Sequence, residues 1–108
     1  MSSAQDHYNK GMQHFVQDQL DEAIAELEKA LQVDSDHADS LQALAMSYFH
    51  QNELEKAVKY GERFRDLEPE NAMAYTSLSM FYQRQGRIEE AEDMGALAAK
   101  YTKSGGDA

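Results

Sequence analysis

The sequence predicts an all-α stack of three helix pairs, and three observations carry that prediction. First, the chain repeats every 34 residues, so that Ala4–His37, Ala38–Asn71 and Ala72–Gly105 align small on small and apolar on apolar. Gly11, Ala45 and Ser79 share one register, and Ala23, Ala57 and Ala91 a second. Leu20, Leu54 and Ile88 share a third, and Met12, Met46 and Met80 a fourth. A period of this length marks stacked supersecondary units, not one core assembled from unlike parts. Second, each unit is rich in Ala, Leu, Gln, Glu, Lys and Met, which lose little side-chain freedom in a helix. Third, Asp18, Asn52 and Gly86 fall at one turn register, and all three residue types tolerate the left-handed backbone that ends a helix.

These signals place six helices, the first of each pair called A and the second B. The first A helix is expected over Ala4–Gln17, where Ser3 and Asp6 have capping-box spacing, and its B partner over Asp21–Val33. The loop Asp34-Ser35-Asp36-His37 then separates repeats one and two. The second pair is expected over Ala38–Gln51 and Glu55–Leu67, and Pro69 stops it, since proline donates no backbone hydrogen bond and restricts Glu68. The third pair is expected over Ala72–Gln85 and Arg87–Thr102. Small residues at both repeated small registers let paired helices approach closely. Leu44, Tyr48, Leu78, Tyr82, Leu20, Leu54, Ile88, Phe64 and Ala98 are the expected core. The whole reads as one domain over residues 4–105, with 1–3 and 103–108 as flexible termini.

The pattern resembles the tetratricopeptide repeat (TPR) family, whose unit runs aromatic, Leu-Gly, Tyr, Ala, Phe or Ala, then Pro. Repeat two carries it through Leu41, Leu44, Ala45, Tyr48, Ala57, Phe64 and Pro69. Repeat three follows through Tyr75, Leu78, Ser79, Tyr82, Gly86, Ala91 and Ala98, without a closing proline. In repeat one Gly11, Ala23 and Ala30 fit, while Lys10 and His14 replace the usual leucine and tyrosine. The resemblance implies a right-handed superhelical solenoid with A helices on the concave side and B helices on the convex side.

Bulk composition narrows the function. Twenty acidic and ten basic residues give a net charge of −10. Phosphate backbones are repelled by such a surface, so no nucleic-acid partner is expected. The charge falls along the stack, with eight acids against two bases in repeat one, seven against four in repeat two, and four of each in repeat three. The gradient reads first as solvated outer faces, and alternatively as a field that orients a basic partner segment toward the N-terminal end. Cysteine is absent, which removes disulfides and thiol chemistry. No leader-like start and no membrane-length apolar run are present, so no membrane insertion and a cytoplasmic location are expected. Histidines His7, His14, His37 and His50 form no His-x-x-x-His pair, and no phosphate loop or GxSxG element occurs, so neither an enzyme nor a cofactor is expected.

What remains is holding another protein. On the concave face the resemblance places Tyr8, Met12 and Phe15 from repeat one, Asp39, Met46 and Phe49 from repeat two, and Met73, Met80 and Arg84 from repeat three. These are the expected peptide-binding residues. Met12, Met46 and Met80 form a file of flexible, polarizable side chains suited to varied apolar shapes, the alternatives being contact with another copy of the chain or ordinary inter-helix packing. One variety of the family grips a C-terminal carboxylate through Lys, Asn and Arg, but Tyr8, Met12, Met46, Met73 and Ser77 stand there, so acidic chaperone tails are not expected. An apolar or amphipathic segment with basic character fits better. The convex face is charged, with Glu55 and Lys59 spaced for an ion pair. The alternative function is self-association, a homodimer through the groove or through Met94, Leu97 and Tyr101, which lack an obvious cover on the last helix.

Overall fold

Six helices run in the order α1 Ala4–Val16, α2 Leu20–Val33, α3 Ala38–His50, α4 Leu54–Leu67, α5 Ala72–Arg84 and α6 Ile88–Gly106 in a computed structural model. It describes residues 2–106, with side chains as far as Lys103. The bounds match the sequence expectation to within a residue except at α6, which continues through Lys103–Gly106 where a flexible tail was expected. Asp107 and Ala108 lie outside the described residues. Among the described residues there is no strand.

Local chemistry explains each boundary. The Ser3 hydroxyl accepts from the Asp6 amide at 3.1 Å, and the Asp6 carboxylate accepts from the Ser3 amide at 3.0 Å, closing the expected capping box. Those same hydrogen bonds hold the Asp6 carboxyl below its ordinary value. Each A helix then ends identically. Asp18, Asn52 and Gly86 take positive φ of 60°, 61° and 80°. The amides of Asp18, Asn52 and Gly86 donate back to Phe15, Phe49 and Gln83. The next amides, of Gln19, Glu53 and Arg87, donate to His14, Tyr48 and Tyr82. Three Schellman caps thus turn each chain from A to B at the same register.

Helices of a pair pack along their length, and each B helix packs on the following A helix. The molecule measures 41 × 34 × 22 Å, and its least dimension fits two helix layers of about 10 Å each. The backbones of A helices also come close to one another, α1 to α3 and α3 to α5, while among the described residues those of successive B helices do not. The stack therefore curves with the A helices on its inner side.

Core residues come from both helix types. Leu27, Leu44, Leu78 and Phe81 are fully buried in one cluster with Tyr48, Phe49, Ala57 and Tyr82, and Leu41 with Phe64 and Ala74 forms a second. Four expected core members differ. Ile88 is 51% exposed because no described helix covers it, and Leu20, Leu54 and Ala98 are only half-buried. Conversely Leu27 and Phe81 were not singled out by repeat register, and Leu41 was named for the family pattern but not for the core, yet these three are the largest sealed side chains with Leu44 and Leu78.

A recurrent bond ties the repeats together. The Tyr48 hydroxyl donates to Glu28 at 2.8 Å, and the Tyr82 hydroxyl to Glu62 at 2.9 Å. Each joins an A helix to the B helix of the preceding repeat at the same register. Tyr48 also stacks on Tyr60, and the Arg87 guanidinium lies 4.3 Å over the Tyr82 ring. The expected Glu55–Lys59 ion pair is not among those formed by the described residues; the Lys59 ammonium instead lies 5.7 Å from the Tyr60 ring centre.

In repeat one the paired helices leave no room for a side chain at Gly11. A Cβ at Gly11 would stand 2.8 Å from Leu27 Cγ and 2.9 Å from its Cδ2. Gly11→Ala should lower unfolding free energy by about 1–3 kcal/mol through overpacking. In a Leu27→Ala background, where those carbon atoms are gone, the same change should cost less than half as much in urea denaturation.

The Tyr48 phenol has a pH consequence. Burial, then the hydrogen bond to the Glu28 carboxylate, push it well above its ordinary value. A raised folded pKa means this stabilisation is full below the unfolded value of about 10 and is lost as pH rises beyond it. Urea midpoints should therefore fall more steeply above about pH 10 for the natural protein than for Tyr48→Phe.

Candidate functional site

The inner surface is built from successive A helices, which present every third or fourth residue to the hollow. At the N-terminal ends of these helices stand Gln5, Asp39 and Met73, one per repeat. At the C-terminal ends stand Val16, His50 and Arg84, again one per repeat. Between them runs the methionine file of Met12, Met46 and Met80.

The structure separates the expected contact residues into three kinds. Met73, at 53% exposure, and Met80, at 36%, are open, as are Asp39 and Arg84. Tyr8, Met12 and Met46 are half-buried and lean against the main core cluster. Phe15 is half-buried, its ring 5.7 Å from that of His50. Phe49 departs from expectation. It is 7% exposed and belongs to the core, its ring centre 5.1 Å from that of Phe81. Its packing on the next A helix consumes the surface that register alone assigned to the hollow.

Two residues that register placed on this face without singling out as contacts prove prominent. Val16 is 77% exposed, the most open of the large apolar side chains described. His50 is exposed and stands edge-on to both Phe15 and Phe49, with ring centres 5.7 and 5.8 Å away. The signal was available, since Val16, His50 and Arg84 recur at 34-residue spacing. The Arg84 guanidinium completes the row, lying 4.7 Å over the Phe49 ring.

The other three histidines have partners. His7 meets Glu26 at 2.9 Å, and this hydrogen bond lowers the Glu26 carboxyl from its ordinary value. His14 meets Gln19 at 2.7 Å and His37 meets Ser40 at 2.7 Å. A depression of about 550 Å³ lies away from the hollow, between the turns of repeats two and three, lined by Asn52, Glu53, Leu54, Glu55, Gln85 and Arg87. Arg87 there is held by Glu90 and Gln85, which also keeps the Glu90 carboxyl below its ordinary value. At the far edge Met94 leans on the core and Tyr101 stacks on Tyr75 at 5.3 Å, and these two with Leu97 are half-buried within the chain where no cover was expected. Ile88 is the open residue of that edge. Among the described residues no helix is long and apolar enough to cross a membrane.

Residues 3–94 match the family model described as anaphase-promoting complex, cyclosome, subunit 3. Two crystal structures of MamA superpose with TM-scores of 0.94 and 0.89 at 25% and 26% identity. They cover 98% and 97% of this chain, which spans 62% and 57% of theirs. The second TPR of Spaghetti (RPAP3), bound to the HSP90 peptide SRMEEVD, superposes with a TM-score of 0.87 at 18% identity and covers 91% of each chain. At that identity the likeness shows the fold alone. None of the curated proteins compared matches the chain.

The graded exposure of the methionines makes a direct prediction. With methyl-labelled protein, a soluble paramagnetic agent should broaden the Met73 and Met80 signals strongly and those of Met12 and Met46 less. Equal protection of all four would mean that the hollow is closed in solution.

Proposed function

The chain belongs to the tetratricopeptide repeat family, and on that premise we propose that it is a non-catalytic scaffold that holds an apolar or amphipathic segment of another protein in its hollow. One observation carries the reading: on the inner side of the curve, Val16, Met73 and Met80 stand open in a chain of net charge −10. Methionine adapts its shape at little cost, which suits an apolar guest. The half-buried Met12 and Met46 provide a floor, and Tyr8 and Phe15 a wall. Phe49 supports this surface from beneath and is not a contact. The similar RPAP3 module was seen with a peptide, which is consistent with a guest of this size.

A segment filling such a hollow would be bound by burial of apolar area, at roughly 25 cal/mol per Å2, less the cost of ordering it. Charge on the guest would set the rate of encounter and its orientation more than its affinity.

Panning random dodecapeptides displayed on phage against the full chain tests the reading. The natural protein should enrich peptides with two or more large apolar residues, and Met80→Glu should abolish that enrichment with helicity at 222 nm unchanged. Enrichment that survives Met80→Glu would place the guest elsewhere. A concentration-dependent dimer in sedimentation, lost in Ile88→Glu, would favour a self-associating block instead.

A further inference from the structure

The C-terminal rim of the hollow holds a cation that the fold itself does not use. Four arginines occur in the sequence. Arg63 donates to the Ser35 carbonyl, Arg65 is paired with Asp66, and Arg87 with Glu90. Arg84 is exposed, and no carboxylate among the described residues stands within 4.0 Å of it. Arg63 shares that lack of an acid partner, so what sets Arg84 apart is its place at the end of the inner row, over an aromatic ring. Its position is held all the same, because its guanidinium lies over the Phe49 ring at 4.7 Å, and Phe49 is locked against Phe81. A guanidinium laid on an aromatic face keeps its N–H donors directed outward around its edge, the geometry that takes a carboxylate by two parallel hydrogen bonds.

At the opposite rim the sign reverses. Asp39, in the first turn of α3, is exposed and has no ion pair among the described residues. Its charge reaches the neighbouring Tyr8 phenol, which burial first and Asp39 second raise above its ordinary value. Eleven helical positions separate Asp39 from the level of His50 and Arg84, about 16 Å along the axis. With one helix spacing sideways, the span is about 18 Å, or five to six residues of extended chain.

We propose that the occupant of the hollow is a charge-polarised segment, with a lysine or arginine at Asp39, apolar side chains on Met46 and Met80, and an aspartate or glutamate side chain on Arg84. This rests on the scaffold reading above and adds the orientation and spacing of the guest. The acid is assigned to a side chain because exposed His50 and Val16 continue the row beside Arg84, where a guest can turn and run on past the pair.

The same peptide panning tests it, with variants at Arg84. Peptides selected by the natural protein should carry an acid five or six positions from a base, with apolar residues between. Arg84→Glu should replace that acid by lysine or arginine while the apolar positions persist. A selected peptide should bind Arg84→Gln about tenfold more weakly, and less so in high salt. Helicity at 222 nm should be unchanged, since Arg84 is exposed. Apolar peptides without an acidic preference, or the same preference retained by Arg84→Glu, would overturn the Arg84 assignment and leave the scaffold standing. Absence of apolar enrichment by the natural protein would overturn both.

Discussion

Each repeat of this chain is held by the next, and the phenol–carboxylate bond at the junction is the interaction on which the rest depends. Tyr48 to Glu28 and Tyr82 to Glu62 close the two junctions at the same register. Around each bond the A helix of one repeat lies on the B helix before it, with Leu27, Leu44, Leu78 and Phe81 sealed nearby. Stability in such a stack is a sum of units and neighbour contacts, so losing a junction costs more than losing an equal area elsewhere. The register also shows where the device is absent. His14 occupies the tyrosine place in repeat one and turns to Gln19 within its own repeat, while Ala96 occupies the glutamate place in repeat three.

Curvature follows from the same contacts. The backbones of A helices come close across junctions and, among the described residues, those of successive B helices do not, so the A side is the shorter arc. That geometry crowds the inner surface and explains why Phe49 and Met46, a few residues apart, meet different fates. Phe49 points far enough toward α5 to reach Phe81, whereas Met46 remains at the boundary between core and hollow. The Arg84 guanidinium lies over the Phe49 ring, so a cation stands at this part of the inner surface.

Much of this was legible in the sequence because repetition averages out local noise. Three left-handed turn residues at one spacing predicted three identical helix ends, and Asp18, Asn52 and Gly86 all adopt that backbone. The capping box was readable from two residues. What register could not supply was any difference between equivalent positions. Met12 and Met80 share a register, yet the first leans on the core and the second is open, because α1 and α5 have different neighbours. Position 27 illustrates the point further. Leu27 is matched by Gly61 and Gly95 in later repeats, and the close approach appears as Gly11 on the opposite helix. The exchange of volume between two helices is visible only when both are placed.

The position of the hollow within the stack has an energetic meaning of its own. Helix α3 buries eight of its residues, and α1 only Ala4 and Gly11, because α3 has a repeat on either side. The middle helix is therefore the most firmly held, and local opening starts at the outer helices, where fewer contacts must break. A guest lying from Asp39 on α3 to Arg84 on α5 touches both sides of the second junction. Whatever binds only when that junction is closed must stabilise it in proportion to its occupancy. A guest bound as proposed would thus link binding to folding through α3, and would make the stack firmer once in place.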